Sequence, residues 1–349
     1  MKIMFTGGGT AGHVTPCIAL MQRLTDHQLC YVGTNAMEKQ LVQNCGLDVD
    51  YHQIDAVKLQ RKLSLKNLLI PFGFAKSVWQ CCKTLQRVRP DVVFSKGGYV
   101  GLPLVVAAKL THVPCLTHES DATMGLANKL SVPICDKVLS AFACHKKATV
   151  VGSILRKEIG NGNKSKGLAT MGFDGSKPVL LVLGGSLGAQ QLNNLVADCP
   201  QLRQQFDVFV ICGKGKDAKG LRCASYVDNV ADLYVAASIA ITRCGSTTLA
   251  ELVKARVPFV GVPLVKNSRG EQTANAKFFA KQGCGIVLDN PTANQLQNAA
   301  ICLYNNRLAY QSNQQRLVVD GTDRVLQAIL AYDNHHNKAL HKKGSKHAH

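Results

Sequence analysis

Short runs of Val, Ile, Leu and Phe, several of them ending directly in glycine-containing turns, recur along almost the whole chain, and this pattern constrains the fold most. In the first half they are residues 2–7 (KIMFTG), 30–34 (CYVGT), 91–98 (DVVFSKGG), 114–120 (PCLTHES), 137–142 (KVLSAF) and 148–153 (ATVVGS). In the second half they are residues 178–186 (PVLLVLGGS), 206–214 (FDVFVICGK), 239–246 (IAITRCGS), 258–265 (PFVGVPLV) and 285–289 (GIVLD). Helix-like stretches such as 15–24, 102–110, 247–255 and 274–282 lie between them. Near-continuous apolar strands alternating with such stretches predict βαβ units with parallel sheets covered on both faces. The fold class expected is α/β, in two Rossmann-like, doubly wound domains.

The length supports the count. At 349 residues the chain is roughly twice a common domain of about 150. Residues 158–167 and 173–178 are rich in Gly, Asn and Lys and break both periodicities, which puts the domain junction at or just before them. The expected domains are 1–154 and 155–321, with a terminal helix at about 322–332 that packs back on the first. Residues 333–349 hold five His and four Lys with little to bury, and read as a frayed basic tail or a metal-binding segment.

Gly7, Gly9 and Gly12 fit G-x-G-x-x-G after the first strand, the fingerprint of a dinucleotide fold. That fingerprint also wants a carboxylate at the end of the second strand, where Thr34 and Asn35 stand instead, so a dehydrogenase is disfavoured. His13 follows the loop where a helix should begin, and the positive end of a helix dipole favours a neutral, base-competent imidazole. A capping or loop histidine is the plainer alternative. Three further strands end in Lys96-Gly97-Gly98-Tyr99, Gly184-Gly185-Ser186-Leu187-Gly188-Ala189 and Arg243-Cys244-Gly245-Ser246-Thr247-Thr248. Glycines let backbone N–H groups approach an anion, and Ser or Thr adds hydroxyl donors at the helix entry. Four such loops, two per half, suggest two lobes closing on a diphosphate-bearing ligand.

Glu251, one helical turn past the last loop, is placed either to reach ribose hydroxyls or to sit solvated on its helix. Arg156 is either a phosphate neutraliser at the hinge or a surface residue. Asp48-Val49-Asp50 matches the D-x-D of metal-dependent sugar transferases, but it stands far from every glycine loop and reads as strand-edge chemistry. Linear spacing shows no other His/Cys/carboxylate metal set, and no cofactor is expected.

Charge and cysteines narrow the setting. The net charge is +19, from 41 Lys+Arg against 22 Asp+Glu, which points to a polyanionic surface: nucleic acid or an anionic membrane leaflet. Aromatics are only 6% and do not interleave with the basic residues, which argues against nucleic acid. No apolar run approaches the roughly 20 residues that cross a bilayer, and no signal peptide is expected at the start. Fourteen cysteines without C-x-x-C spacing imply reduced thiols in a cytoplasm. Residues 63–78 (LSLKNLLIPFGFAKSV) run up to Trp79, the single tryptophan, among Lys58, Arg61, Lys62, Lys66 and Lys76. An apolar patch fringed by cations suits shallow insertion beneath anionic headgroups, each cation adding about 1 kcal/mol. A buried helix with solvated lysines is the alternative.

From residue 1 to about 330 the chain resembles the MurG family, on Gly8–His13 (GGTAGH), SKGGYVGLP, HESDATMGLANK, VVGSILRKEI, GGSLGAQQLN, RCGSTTLAE and SRGEQTANA in that order. The resemblance implies a GT-B fold with an interdomain cleft. It also implies an inverting, metal-independent transfer of GlcNAc from UDP-GlcNAc to the 4-hydroxyl of lipid-linked MurNAc-pentapeptide, lipid I to lipid II, in peptidoglycan synthesis. The partners implied are UDP-GlcNAc, lipid I and anionic inner-leaflet phospholipids, at the cytoplasmic face of the cell inner membrane.

By the same resemblance, Thr10, Ala11 and Gly12 touch the donor sugar and diphosphate, and His13 is the base beside the acceptor. Arg156 and Ser186 contact phosphates, and Val227 offers backbone to the uracil. Ser246, Thr247, Thr248 and Leu249 cradle the diphosphate, Glu251 holds the ribose, and Gln272 and Asn275 face the GlcNAc hydroxyls. Asp121, on the acceptor side, stands where many members have Asn. Ala11 replaces a usual glycine, Ile154 a usual proline, and Glu271 precedes Gln272 where another residue is common. A related GT-B enzyme acting on a diacylglycerol or a soluble acceptor is the rival.

Overall fold

The computed structural model describes residues 1–57, 70–185, 188–264 and 270–333. The chain divides into two compact units. The first takes Met1–Ser120, Met124–Ile154 and the stretch from Gly321 on; the second takes Asp121–Thr123 and Leu155–Asp320.

In the first unit the order is β1 (Lys2–Thr6), α1 (Ala11–Met21), β2 (Gln28–Gly33), α2 (Met37–Gln43), β3 (Val49–Gln53) and α3 (Ile70–Val88). Then come β4 (Val92–Ser95), α4 (Gly98–Leu110), β5 (Cys115–Glu119), α5 (Leu126–Ser131), β6 (Lys137–Ser140) and β7 (Thr149–Val150). All pairings are parallel, in the order β3-β2-β1-β4-β5-β6-β7. Chain order reverses between β1 and β4, whose ends Thr6 and Ser95 are register partners. Ligands of open α/β sheets bind at such a switch point. The loops that leave β1 and β4 there are two of the glycine loops read from the sequence.

The second unit repeats this plan. Its elements are α6 (Lys164–Met171), β8 (Val179–Leu183), α7 (Gln190–Ala197), α8 (Pro200–Gln205), β9 (Asp207–Ile211), β10 (Arg222–Ala224), α9 (Val230–Ala236) and β11 (Ala237–Thr242). They continue with α10 (Ser246–Lys254), β12 (Phe259–Gly261), α11 (Glu271–Lys281), β13 (Gly285–Val287), α12 (Ala293–Asn305) and α13 (Arg307–Arg316). The parallel order is β10-β9-β8-β11-β12-β13, and the switch point lies between β8 and β11. The other two glycine loops leave those two strands. The central strands of both sheets are buried on both faces, which is why they read as apolar runs rather than alternating ones.

Three strands depart from the sequence expectation. Residues 148–153 yield only the two-residue β7, and neither β3 nor β10 stands among the apolar runs. Arg222 and Cys223 are exposed, so β10 is an edge strand held by its pairing to β9 without an apolar run to announce it.

A last helix, α14 (Thr322–Leu330), belongs to the first unit. Val325, Leu326 and Ile329 are buried among Leu20, Met21 and Val151, at about 1.5–3 kcal/mol for each side chain removed from water. Gly321 admits this return. Its N–H donates to the Ser153 carbonyl at 2.7 Å, and a Cβ there would lie 2.3 Å from the Val151 oxygen. Residues 334–349, the remainder of the expected tail, lie outside the described residues.

Candidate active site

In the first unit, β1 delivers the chain into the loop Gly7–Gly9, and α1 begins at Ala11. Its N-cap Thr10 makes no side-chain capping bond and no carboxylate stands in its first turn, so the positive helix end carries no built-in counter-anion. Thr10 and Gly12 are exposed, while Ala11 and His13 are half-buried. His13 Nδ1 lies 3.0 Å from the carbonyl oxygen of Gly8, with Thr10 Oγ1 at 3.3 Å from the same nitrogen. A carbonyl only accepts, so Nδ1 holds the ring proton and the basic lone pair is on Nε2.

The loop after β4 closes in on this histidine. Gly97 and Gly98 both have positive φ, and a Cβ on Gly98 would sit 2.5 Å from the Gly8 oxygen and 3.2 Å from His13 Nδ1. The glycine at 98 is thus what lets the imidazole lie against the loop. Behind it, Lys96 is 1% exposed, and its ammonium donates to the His118 carbonyl at 3.4 Å and to Ser120 Oγ. His118 Nε2 donates to the Gly152 carbonyl at 2.9 Å, and its buried Nδ1 has no hydrogen-bond partner. Burial, and then the Lys96 charge, hold this imidazole well below its ordinary pKa. Asn128 ties the segment together, donating to Glu119 Oε2 at 2.9 Å, which also accepts from the Gly125 N–H at 2.9 Å. Lys96, Glu119 and Asn128 carried no assigned role in the sequence; their signal was a Lys and a Glu at the ends of apolar strands.

In the second unit, α10 begins behind Gly245, again without a side-chain cap or a first-turn carboxylate. Ser246 and Leu249 are buried, and Thr247 and Thr248 are half-buried. This helix start has orphan N–H groups and adjacent hydroxyls, the chemistry of a phosphate cradle.

One turn further on, Glu251 is buried rather than solvated. Its Oε1 accepts from Arg156 Nε at 3.3 Å and Nη2 at 3.1 Å, and its Oε2 accepts from the Tyr234 hydroxyl at 3.0 Å. Burial pushes the Glu251 carboxyl above its ordinary range, against the pull of Arg156 and Tyr234. Arg156 is therefore neither a plain surface residue nor free of other ties: the carboxylate aligns it. Tyr234, on α9, was not singled out in the sequence, where it reads as one more apolar core position.

Gln272, expected to face a sugar, bonds backbone N–H groups, and Asn275, expected to do the same, bonds backbone and Asp121. Gln272 Oε1 accepts from the N–H groups of Cys244 (3.2 Å) and Leu264 (2.9 Å). Fully buried Asn275 donates to Asp121 Oδ1 at 3.0 Å and to the Cys244 carbonyl at 3.3 Å, and accepts from the Ala122 N–H at 2.7 Å. Asp121 is thus brought to Asn275, and the two brace the loop in front of α10. Val227 is half-buried in the connection between β10 and α9. Ser186 lies outside the described residues.

With these two helix starts in view, the relationships to known proteins are specific. The glycosyltransferase family 28 N-terminal domain matches residues 3–140, and the glycosyltransferase family 28 C-terminal domain matches residues 179–326. A Geobacillus kaustophilus protein is 39% identical over 350 residues, spanning 95% of this chain and 97% of its own. It is named UDP-N-acetylglucosamine–N-acetylmuramyl-(pentapeptide) pyrophosphoryl-undecaprenol N-acetylglucosamine transferase. The chain belongs to the MurG family.

A Clostridium tetani protein of the same name is 38% identical, spanning 95% of this chain and 98% of its own. The crystal structure of Acinetobacter baumannii MurG superposes with a TM-score of 0.73 at 25% identity, covering 94% of this chain and 99% of that one. A kitacinnamycin glycotransferase reaches the same TM-score at 15% identity, a likeness of fold alone. This MurG-family chain is a UDP-sugar glycosyltransferase built from two parallel-sheet domains of the GT-B type. Among its described residues no helix is long and apolar enough to cross a membrane.

Proposed function

We propose that this enzyme transfers GlcNAc from UDP-GlcNAc to the 4-hydroxyl of lipid-linked MurNAc-pentapeptide, with inversion, in peptidoglycan synthesis. The donor is held by the domain of residues 155–321. The diphosphate lies on the N–H groups and hydroxyls of Ser246, Thr247 and Thr248, beside Leu249, and the N–H groups of Arg156 not spent on Glu251 neutralise its charge. Ser186 adds a further donor, Glu251 takes the ribose, the Val227 backbone meets the uracil, and Gln272 and Asn275 set the loops that shape the sugar pocket. Thr10, Ala11, Gly12 and Asp121 supply further substrate contacts.

The chemistry rests on His13. Its Nδ1–H bond to the Gly8 carbonyl leaves Nε2 as the base, which removes the proton from the acceptor hydroxyl. That oxygen attacks the anomeric carbon, the bond to the diphosphate breaks, and UDP leaves with the electron pair. Fixed donors at the start of α10 stabilise the charge that develops on it.

The acceptor is membrane-anchored, and α3 supplies a surface to meet it. Phe72 is 75% and Trp79 56% exposed, Lys76 is exposed, and Lys83 Nζ stands 3.7 Å over the Trp79 ring. An exposed aromatic face with ammonium groups beside it favours peripheral binding to anionic phospholipids of the cytoplasmic leaflet. Lys58, Arg61, Lys62 and Lys66 lie outside the described residues. The deciding experiment is UDP release from UDP-GlcNAc with and without a lipid I analogue: stimulation by lipid I, but not by diacylglycerol or a soluble sugar, is expected. Equal stimulation by either of those would assign the enzyme to a different acceptor.

A further inference from the structure

The register of β2 against β3 assembles a cluster that linear spacing hides. Cys30 is the register partner of Asp50, and His52 follows Asp50 by two, so all three side chains leave the same face of the sheet. The Cys30 thiol, an Asp50 carboxylate oxygen and an imidazole nitrogen of His52 lie within 4.8 Å of one another. They line an open cleft of about 930 Å³, which gives an ion a path in. Cys30 is buried, and His52 is only 8% exposed. His52 Nε2 makes no hydrogen bond, although Asp50 Oδ2 lies 3.2 Å away. A ring nitrogen, a carboxylate oxygen and a thiol thus stand close enough together to share one cation.

We propose that Cys30, Asp50 and His52 form a three-ligand site for a zinc-type divalent cation, away from the transferase residues. Thiolate, imidazole and carboxylate together suit zinc or cobalt rather than magnesium or calcium, which prefer all-oxygen shells. Ligand atoms around a tetrahedral zinc stand about 3.3–3.6 Å apart, so the cluster must tighten by about 1 Å. Asp50, 66% exposed at its side chain on the edge strand, has the freedom to swing in. The fourth position faces the cleft and is left to water.

Arg87, at the end of α3, gives the site its distinctive property. Its Nη2 lies 3.3 Å from His52 Nδ1, and a guanidinium only donates, so in the metal-free protein Nδ1 accepts and Nε2 holds the ring proton. A metal on Nε2 needs that proton on Nδ1, where Arg87 then opposes it. Cys30 gives up its thiol proton, and Arg87 must let go of the ring. Arg87 is thus a built-in competitor whose removal should strengthen binding, the opposite of what an arginine that merely supports the fold would do.

Cobalt titration of chelator-stripped, full-length protein tests this. One equivalent should give a thiolate-to-cobalt charge-transfer band with tetrahedral visible bands, and zinc should displace it. The histidine-rich tail contains no cysteine and cannot produce the band. Cys30→Ser should abolish the band, and Asp50→Asn, a surface change that leaves folding intact, should weaken binding at least about tenfold. Arg87→Gln, whose side-chain carbonyl accepts from Nδ1–H, should tighten it several-fold. Absence of the band, its persistence in Cys30→Ser, or unchanged affinity in both Asp50→Asn and Arg87→Gln would overturn the assignment.

Discussion

Arg156 Nη2 lies 3.1 Å from Glu251 Oε1, in a triad completed by the Tyr234 hydroxyl at 3.0 Å from Oε2, with Glu251 and Tyr234 buried and Arg156 half-buried. The carboxylate proposed to hold the ribose thereby also orients the arginine proposed to meet the phosphates. Glu251→Ala removes both functions and strands Arg156, so UDP affinity should fall sharply and stability by about 3 kcal/mol. Calorimetric titration with UDP alongside urea unfolding separates the two effects. Tyr234→Phe takes away one donor, for a smaller loss of about 1–2 kcal/mol.

His13→Ala should lower kcat by about 10²–10⁴-fold while leaving UDP-GlcNAc affinity nearly intact. Steady-state kinetics with equilibrium binding of UDP decide it. An equal loss of binding and turnover would remove His13 from the role of base.

Gly98→Ala should mimic the loss of His13 without touching it. The new methyl would meet the Gly8 carbonyl and the imidazole, in a backbone conformation with φ of 80° that alanine resists. Turnover should drop about a hundredfold or more, the range of a misplaced catalytic group, with UDP binding by the second unit preserved.

Stability should depend on pH through His118. Burial and Lys96 hold its folded-state pKa well below the ordinary 6.5. Below about pH 6.5 the unfolded chain binds a proton that the folded protein refuses, so stability should fall by about 1.4 kcal/mol per pH unit and be flat above. His118→Gln keeps a donor for the Gly152 carbonyl and should flatten that slope in denaturant titrations across pH 5–8. An unchanged slope would locate the acid sensitivity in another group.

Replacing Phe72 and Trp79 together by Ser should weaken binding to anionic vesicles by about tenfold or more, while catalysis on a water-soluble acceptor analogue stays unchanged. Sedimentation with phosphatidylglycerol vesicles reads the first quantity. Retention of full vesicle binding would move the membrane contact away from α3.

The strands β1, β4, β8 and β11, and the glycine loops that leave them, were legible because both signals are local. An apolar run bounded by glycine is written in consecutive residues. So was His13 at the start of α1, since a helix N-terminus needs only its own first turn. The edge strand β10 was not, because its stability comes from pairing to β9 rather than from its own burial.

The pairings within the sites belonged to tertiary structure. Glu251 could be solvated or functional by sequence; only packing shows it buried between Arg156, 95 residues away, and Tyr234. Nothing in the linear sequence links Asn275 to Asp121, Ala122 and the Cys244 carbonyl, which its amide meets in the folded chain. Cys30 and His52 are unremarkable in a linear reading and become neighbours through strand register. By itself the sequence determined where most strands, helices and glycine turns form, because periodicity and glycine conformational freedom act over a few residues. Which side chains share a proton, a charge or an ion was decided by the folded chain, because those energies fall off within a few ångströms and depend on residues that only the register of the sheets brings together.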